Sequence, residues 1–438
     1  MLDKFLFKHI DNSGLIVFRI IFGLLCFLES VGAIFTGWVK RILIEPAFTF
    51  SFIGFEWLQP LPGNGMFYYY IVMGVFGLFI MVGYKYRLSI ICFTFLWAST
   101  YLMQKTAYNN HYYLLLLVSS LMVFLPAHKY ASLDVKLNPK IKSIYMPQWC
   151  KWVVVLQLFI VYTYASIAKF YPDWLNSEFI ALLMKPKSNY FLVGNLLQQE
   201  WVHYTLAYGG ILFDGLIIPL LLYKPTRKYA FFVALFFHLF NSFVLQIGVF
   251  PYLALAFTLF FFETKTIQKI FLKKKPHYNL EEVIVSNFKT PAIIAFSIYF
   301  LIQIGLPLRH YFFRDNVLWT EEGHRLSWRM MLRAKSGYAI YKVENNETGK
   351  THIVNLDNYL TKKQKQAAST KPDIIWQFAQ RLNKQFKENG QDVSVYVDCK
   401  VSINGKPFKT LINPEIDIAN VEWDAFKHSS WILPSKQE

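Results

Sequence analysis

Nine apolar runs that are candidate membrane spans, the third and the eighth of them short, lie within the first 308 residues of this 438-residue chain. A hydrocarbon core about 30 Å thick is spanned by about 20 apolar residues in a helix. Only helices and closed barrels satisfy every backbone polar group at that depth. The spans are predicted near residues 14–36, 67–83, 87–102, 112–127, 152–170, 204–223, 229–246, 249–263 and 291–308. The sequence therefore predicts a polytopic α-helical membrane protein with about eight or nine transmembrane helices.

After residue 308 the apolar runs stop and the pattern is typical of a small α+β domain. Residues 338–343 and 352–354 are predicted strands around a turn, and residues 373–386 have helical periodicity. An Asn404-Gly405 pair between residues 393–401 and 408–412 predicts a hairpin. We expect a transmembrane domain over residues 1–308 and an extramembrane domain over residues 309–438. The sequence WTEEGHRLSWRMMLR, residues 319–333, is called the junction segment, and we expect it to contribute to the functional site.

The net charge of +17 comes largely from Lys and Arg residues between the apolar runs. With a cytoplasmic N-terminus, the inner segments carry 18 of these residues and the outer loops carry five. Cytoplasmic segments of membrane proteins are enriched in this way. We therefore expect a cytoplasmic N-terminus, with the C-terminal domain and the active site on the outer or luminal side. The positive charges suit anionic lipid head groups, so membrane lipid is an expected partner and nucleic acid is not.

The sequence offers no pattern for a metal or nucleotide cofactor. Its ten histidines are scattered without an HxxxH or HxxHH pair, and HExxH, P-loop and GxGxxG motifs are absent. None of the four cysteines forms a CxxC pair, so neither a zinc motif nor a disulfide framework is indicated. We expect no metal site.

Lys169 ends the fifth predicted span and shares one helical face with Tyr162 and Ser166 through i, i+4, i+7 spacing. The commoner interpretation of such a lysine is that its ammonium extends to the membrane interface. The functional interpretation is a desolvated lysine. Burial lowers the pKa of a lysine, so that a neutral amine acts as a base near pH 7.

Other polar groups near the span ends allow two interpretations. Asn110 and His111 lie at the start of the fourth span. They are either a capping residue with an interfacial histidine, or functional groups on the same side of the membrane as Lys169. His238, with Asn241 at i+3, lies inside the seventh span, where a functional role and a helix-to-helix hydrogen bond are equally expected. Structural polar contacts are favoured for three further ionisable residues inside spans, namely Arg19, Glu29 and Asp214.

A series of motifs resembles the vitamin K-dependent gamma-glutamyl carboxylases over nearly the whole chain, in the form of a bacterial-type homologue. They are FRIIFG, NNHYYL, VYTYASIAKFYPDW, FFHLFNSFVLQIGVFPY, LRHYFF, WTEEGHRLSWRMMLR, VSINGKPF and NPEIDIANVEWDAFKHSSWILP. The membrane part also resembles the broader family of horizontally transferred transmembrane (HTTM) domains. One departure is Ala168, which stands where animal members of the family have a second lysine next to the position of Lys169.

The resemblance implies an enzyme, a peptidyl-glutamate 4-carboxylase of the carbon–carbon lyase class with vitamin K epoxidase activity. Such enzymes oxidise vitamin K hydroquinone with O2 to the 2,3-epoxide. They couple this oxidation to CO2 addition at the gamma carbon of a peptide glutamate, which gives gamma-carboxyglutamate. The implied partner is therefore a glutamate-containing peptide or protein, and the implied co-substrates are vitamin K hydroquinone, O2 and CO2, without a metal.

The same resemblance implies roles for individual residues. Lys169 is the implied base toward the hydroquinone, and His111 and Asn110 are implied catalytic residues that position or stabilise the charged species. The implied quinone-binding residues are Tyr162, His238, Asn241, Trp328, Arg329, Met330 and Met331.

Two alternatives remain. An uncoupled vitamin K hydroquinone epoxidase needs the same lysine and the same pocket, so the sequence does not separate it from a carboxylase. A non-enzymatic membrane transporter or lipid-binding protein predicts broken helices and ionisable residues paired across spans near the midplane. The sequence shows no evident pathway of such residues.

Overall fold

The computed structural model describes residues 2–280, 282–285, 287 and 289–436. Within these ranges the chain is mostly helical. In chain order the α-helices are α1 (Leu2–Leu6), α2 (Ser13–Phe35), α3 (Gly65–Val82), α4 (Tyr86–Met103), α5 (Asn110–Phe124), α6 (Leu133–Leu137), α7 (Trp149–Ile167), α8 (Pro172–Leu175), α9 (Glu178–Met184), α10 (Gly194–Leu197), α11 (Glu200–Leu222), α12 (Arg227–Phe243), α13 (Phe250–Phe257), α14 (Thr264–Phe271), α15 (Lys289–Leu308), α16 (Val317–Thr320), α17 (Lys362–Ala368) and α18 (Pro372–Glu388).

The strands form two separate sheets. They are β1 (His9–Asp11), β2 (Tyr145–Pro147), β3 (Lys335–Asn345), β4 (Thr351–Ile353), β5 (Val393–Ile403) and β6 (Lys409–Ile412). The short β1–β2 pair joins the N-terminal segment to the start of α7, and the other four strands form an antiparallel sheet in the order β4-β3-β5-β6.

Each of the nine predicted spans falls on a helix. Five helices are long and apolar enough to cross a membrane by length and composition, namely Ser13–Phe35, Gly65–Val82, Trp149–Ile167, Glu200–Leu222 and Lys289–Phe312. Asn110–Phe124 and Phe250–Phe260 are apolar but shorter. The described residues thus confirm a mostly helical chain with candidate membrane spans and a small C-terminal sheet. The count of eight or nine spans remains a prediction.

The C-terminal sheet confirms the hairpin that the sequence predicts. Asn404 and Gly405 have φ angles of 53° and 77° at the centre of a turn closed by a 3.1 Å hydrogen bond from the Lys406 N–H to the Ile403 carbonyl. Both are left-handed, which Asn-Gly pairs readily adopt in hairpin turns. One face of the sheet packs against α18, where Tyr341, Val395 and Phe378 are fully buried. The period of two along β5 therefore places its alternate side chains in a core of their own.

Three connections between membrane helices reach the C-terminal domain. Phe48, from the α2–α3 connection, packs in the core of that domain, and its carbonyl accepts a 2.7 Å hydrogen bond from Gln364 Nε2. Lys105, between α4 and α5, contacts Asp373 at 2.8 Å. Asp173, just after α7, accepts a 2.7 Å hydrogen bond from Asn404 Nδ2. A nine-span count puts these connections on one side. The side itself and the division at residue 308 remain predictions.

Helices α2 and α3 approach each other backbone to backbone. A Cβ atom added at Gly23 would lie 2.3 Å from the backbone nitrogen of Met81, and one at Gly77 would lie 2.7 Å from that of Phe27. Small residues allow membrane helices this close approach, where van der Waals contact rather than the hydrophobic effect holds them together.

We predict that Gly23→Ala lowers the midpoint of thermal unfolding in detergent, because the methyl group forces α3 away from α2. Overpacking of this kind typically costs about 1–3 kcal/mol. Gly32→Ala is the matched control on the same helix, since nothing lies within 4 Å of its added Cβ. Equal midpoints for the two variants would contradict the close approach.

Candidate active site

A cavity of about 160 Å³ between α7, α11 and α12 gathers most of the predicted site residues. Seven of them line it, namely Lys169, His111, Tyr162, His238, Asn241, Met330 and Met331. The two methionines come from the junction segment and the others from the membrane helices or their ends. The structure therefore brings His111 and Lys169 to one cavity, as the topology argument predicts.

Lys169 is buried with 7% of its surface exposed, so its extension to the membrane interface, the commoner interpretation, is wrong. Its ammonium donates a 2.9 Å hydrogen bond to the carbonyl of Ala165 and forms an ion pair with Asp214 of α11. It also lies 5.4 Å from the ring centroid of Trp174, within the range of a cation–π contact. The amine is thus held by three partners at the edge of the cavity.

Asp214 is the site residue that sequence reasoning assigns to a structural contact. The structure places its buried carboxylate on the Lys169 ammonium and in the wall of the cavity. The signal was present, because an ionisable residue inside a span calls for a partner and a buried ammonium calls for an opposite charge. The sequence does not predict the rotation of α11 relative to α7, which decides whether Asp214 faces Lys169.

The other polar groups of the wall come from α5, α7 and α12. The Tyr162 hydroxyl and His238 Nε2 are 3.2 Å apart, while His238 Nδ1 is buried without a hydrogen-bond partner among the described residues. The His111 ring stacks on Phe250, with centroids 4.1 Å apart. Buried polar atoms are usually paired, so His238 Nδ1 is available to a bound molecule or water.

Three predicted site residues lie outside the cavity lining. Asn110 Nδ2 donates a 3.1 Å hydrogen bond to the carbonyl of Arg329 and thereby ties the start of α5 to the junction segment. The Arg329 guanidinium instead contacts His310 Nε2 at 2.7 Å. Trp328 is 1% exposed and stacks on Tyr113 with centroids 5.0 Å apart. These contacts support the lining from behind, and direct roles for the three residues remain predictions.

The junction segment has an irregular backbone. Glu321, Leu326, Trp328 and Met331 have φ angles of 64°, 62°, 59° and 49°. The left-handed region is unfavourable for residues with a side chain and is kept only where the surroundings impose it. The turn that presents Met330 and Met331 to the cavity therefore depends on contacts elsewhere in the segment.

Two buried carboxylates supply such contacts. Glu321 accepts hydrogen bonds from Arg333 Nε at 2.9 Å and from Lys335 Nζ at 3.3 Å. Burial raises the pKa of Glu321, but Arg333 and Lys335 outweigh this effect and hold the pKa well below its usual value. Asp373 pairs in the same way with Arg325 and Lys105, which hold its pKa below the ordinary value despite burial.

A second cavity of about 340 Å³ adjoins the first and shares His111, Phe250 and Met331 as walls. Glu29 of α2 lies in this second cavity and accepts a 2.8 Å hydrogen bond from the Tyr112 hydroxyl. Among the described residues, no group of three or more His, Cys, Asp or Glu side chains is placed to hold a metal ion.

Comparison with known proteins assigns both parts of the chain. Residues 7–265 match the HTTM domain. The chain belongs to the HTTM family. Residues 288–438 match the lumenal domain of vitamin K-dependent gamma-carboxylase, so that together the two matches identify a gamma-carboxylase-type protein. The HTTM domain and its apolar helices make this an integral membrane protein. No solved structure matches the chain significantly.

We predict that the lumenal-type domain of this HTTM protein loses stability as the pH falls below about 4, the usual pKa of an unfolded carboxyl group. Glu321 and Asp373 have lowered pKa values in the folded protein. Their stabilisation is therefore complete above the unfolded pKa and is lost as the pH falls toward the folded pKa. Thermal unfolding followed between pH 7 and pH 3 measures this loss.

Asp373→Asn tests the same contact at neutral pH. It leaves Lys105 and Arg325 buried without their carboxylate, which is expected to cost roughly 3–5 kcal/mol and to flatten the acid dependence. Asp357→Asn is the control, because Asp357 pairs with Lys365 on the surface and is 72% exposed. An Asp373→Asn midpoint equal to that of the control would contradict the role of the buried network.

A double-mutant cycle is expected to show strong coupling between Lys169 and Asp214. Asp214→Asn alone leaves a buried ammonium unpaired, at a cost of roughly 3–5 kcal/mol, whereas the further change Lys169→Met restores much of the lost stability. The control cycle uses Lys224→Met and Glu263→Gln, an exposed pair 2.7 Å apart, for which additive effects are expected. Additive effects at Lys169 and Asp214 would rule out the buried pair.

Proposed function

We propose that the protein is a vitamin K-dependent gamma-glutamyl carboxylase. It would oxidise vitamin K hydroquinone with O2 to the 2,3-epoxide and couple this to CO2 addition at the gamma carbon of a peptide glutamate. The observation that carries the proposal is the buried Lys169–Asp214 pair in an apolar cavity, closed by a segment of the lumenal-type domain. The match of residues 288–438 to the lumenal domain of vitamin K-dependent gamma-carboxylase, next to an HTTM domain, supports it.

The residues of the cavity suit a quinol ring. Phe237, Phe250, Met330 and Met331 offer flat or polarisable apolar surface, and aromatic rings and thioethers pack well on a ring. Lys169, Tyr162 and His238 supply polar atoms at the wall. Largely apolar pockets with a few convergent polar groups are typical of sites for small organic molecules.

We propose that the quinol enters the cavity from lipid. Phe236 of α12 lines the cavity, yet 74% of its surface is exposed on the flank of an apolar helix. A quinol with an isoprenoid tail partitions into the bilayer, so entry past this side chain suits it. Bound in the cavity, the hydroquinone would supply the electrons for O2 and the driving force for removing the gamma proton of glutamate.

Lys169 Nζ is the atom proposed to accept the quinol proton. Asp214 and the carbonyl of Ala165 both contact Lys169 Nζ and hold it in the wall of the cavity. We therefore interpret Asp214 as a positioning residue for Lys169.

The junction segment is proposed to keep the reaction away from water. Met330 and Met331 cover the cavity, and Trp328 behind them is packed on Tyr113. Exclusion of water strengthens electrostatic interactions and protects reactive species from side reactions. His111 stacks on Phe250 in the wall between the two cavities, which supports the proposal that it positions or stabilises the charged species.

The decisive experiment combines purified protein with reduced vitamin K, O2, labelled bicarbonate and a glutamate-rich peptide. Epoxide and peptide-bound label are measured together for wild type, Lys169→Ala and Lys185→Ala. Lys185 lies exposed in the connection after α9, so its replacement is the control for loss of a lysine. We expect both products from wild type and from Lys185→Ala, and a loss of at least about 100-fold in Lys169→Ala, as is typical for removal of a general base.

The other outcomes separate the alternatives. Epoxide without label, across several peptides, favours an uncoupled epoxidase. If folded wild-type protein binds the quinol but forms neither product, the result favours a non-enzymatic lipid-binding protein or transporter. Equal rates for Lys169→Ala and Lys185→Ala would remove Lys169 from the mechanism.

A further inference from the structure

The proposed reaction leaves one proton in the candidate active site at each turnover. The quinol gives up two hydrogens and the gamma carbon of glutamate gives up one, while the electron pair of that C–H bond forms the new bond to CO2. One oxygen atom of O2 enters the epoxide, and the other becomes water, which takes up two of these three hydrogens. The remaining one is the proton that Lys169 accepts from the quinol. It must reach bulk water before the next cycle.

The first cavity is poorly suited to carry that proton away. Most of its lining is apolar, and Lys169 Nζ is held by Asp214 and the carbonyl of Ala165. A proton passes between groups within hydrogen-bond reach of each other, or through one water. The exit therefore needs further titratable side chains, or a space polar enough to hold water.

The second cavity, of about 340 Å³, is such a space. A water molecule takes up about 30 Å³ in the liquid and usually needs two to four polar partners to stay ordered. The cavity lies at the start of α5 and at the connection between α12 and α13, with Met331 of the junction segment in its wall. Its lining includes the polar side chains of Glu29, Asn109, His111, Tyr112 and Gln246.

His111 connects the two cavities. No hydrogen bond to a described residue occupies either of its ring nitrogens, and the side chain is only partly buried. A histidine accepts a proton at one ring nitrogen and releases one from the other. Of the residues that line both cavities, His111 is the one with a titratable side chain, since the others are Leu245, Ile247, Phe250 and Met331.

Glu29 of α2 supplies a carboxyl group to the second cavity. Its Oε1 accepts the 2.8 Å hydrogen bond from the Tyr112 hydroxyl. Its Oε2 lies 4.0 Å from the position that a Cβ atom added at Gly248 would take, and so points toward the connection between α12 and α13. One oxygen is thus fixed by the protein, and the other faces the cavity.

The surroundings of Glu29 contain no cationic partner among the described residues. The titratable groups near it are Cys26 on its own helix, Tyr70 of α3, and His111 and Tyr112 of α5. No lysine or arginine side chain in the described part of the chain offsets its charge. Carboxyl groups inside membrane spans without a fixed charge partner are typical of proton and ion paths.

On the basis of the proposed function, we propose that His111 and Glu29 pass the quinol proton from Lys169 to water beside the lumenal-type domain. His111 takes up the proton on the side of the first cavity, and ordered water in the second cavity carries it to Glu29 Oε2. Glu29 releases it toward Gln246 and Gly248, which are exposed. Each group loses one proton for each that it accepts, so the path returns to its starting state.

A pH jump without O2 tests the path separately from carboxylation. Purified full-length protein with bound vitamin K hydroquinone is mixed in a stopped-flow instrument from pH 6.5 to pH 8.5, and the absorbance of the quinolate is followed. We expect Glu29→Gln to slow the relaxation at least about 10-fold without changing its final amplitude. The glutamine still accepts the hydrogen bond from Tyr112 but does not take up a proton. Glu29→Asp, which retains a carboxyl group, is expected to restore most of the rate.

The control is Glu45→Gln, because Glu45 is an exposed carboxylate in the α2–α3 connection. It is expected to relax as wild type does. During turnover with O2, labelled bicarbonate and peptide, Glu29→Gln is expected to form the first epoxide per protein at the wild-type rate and later ones more slowly. This deficit narrows as the pH rises, because a lower proton concentration favours direct loss of the proton from Lys169.

The outcomes distinguish this proposal from the proposed function. Equal relaxation rates for Glu29→Gln and Glu45→Gln would overturn the path and leave the carboxylase intact. A joint loss of rate and amplitude would also overturn it, since Glu29 would then belong to the quinol site. Absence of quinolate in wild type would remove Lys169 as the base and the path with it. Quinolate and epoxide without peptide label would contradict the carboxylase alone, and the relaxation rates would still decide on the path.

Discussion

The buried carboxylate of Asp373 joins three parts of the chain that are far apart in sequence. It lies at the start of α18 and binds Lys105 from the α4–α5 connection and Arg325 from the junction segment. A buried charge is tolerated only with partners that offset its desolvation. Asp373, Lys105 and Arg325 thus bring the lumenal-type domain, the membrane helices and the cover of the cavity into one arrangement. Asp173 likewise joins the segment after α7 to Lys406 of the lumenal-type domain, and Glu321 pairs with Arg333 within the junction segment.

This arrangement explains how an irregular segment forms part of the wall of the candidate active site. A helix or strand fixes its side chains through its own backbone hydrogen bonds, but the junction segment has left-handed residues instead. Its shape is set from outside, by ion pairs to the lumenal-type domain and by the Asn110 hydrogen bond to the Arg329 carbonyl. The geometry of Met330 and Met331 in the cavity is therefore a property of both domains together.

The sequence predicts the regular parts of this structure well because their causes are local. Apolar runs of about 20 residues give helices on any packing, and the Asn404-Gly405 pair specifies its turn through φ alone. Of the ten candidate residues chosen from the motifs, seven line one cavity. Contacts between residues far apart in the sequence are not predicted in this way. The contact of Lys169 with Asp214 depends on the rotation of α11 relative to α7. The positions of Asn110, Trp328 and Arg329 outside the cavity lining depend on an irregular backbone, which the sequence pattern does not predict.

The two faces of α7 have different packing, one against the candidate active site and one against a groove between α7 and α15. One face holds a buried ion pair, which needs a rigid and dry surrounding to keep its partners in contact. The other face borders a groove that no side chain of the described residues fills. Two polar contacts link the α7 region to α11, namely the Ser166 hydrogen bond to the Ile211 carbonyl and the Lys169–Asp214 ion pair. Any shift of α7 toward the groove would therefore draw Lys169 away from Asp214. Packing in the groove therefore contributes to the geometry of Lys169 on the other side of the same helix.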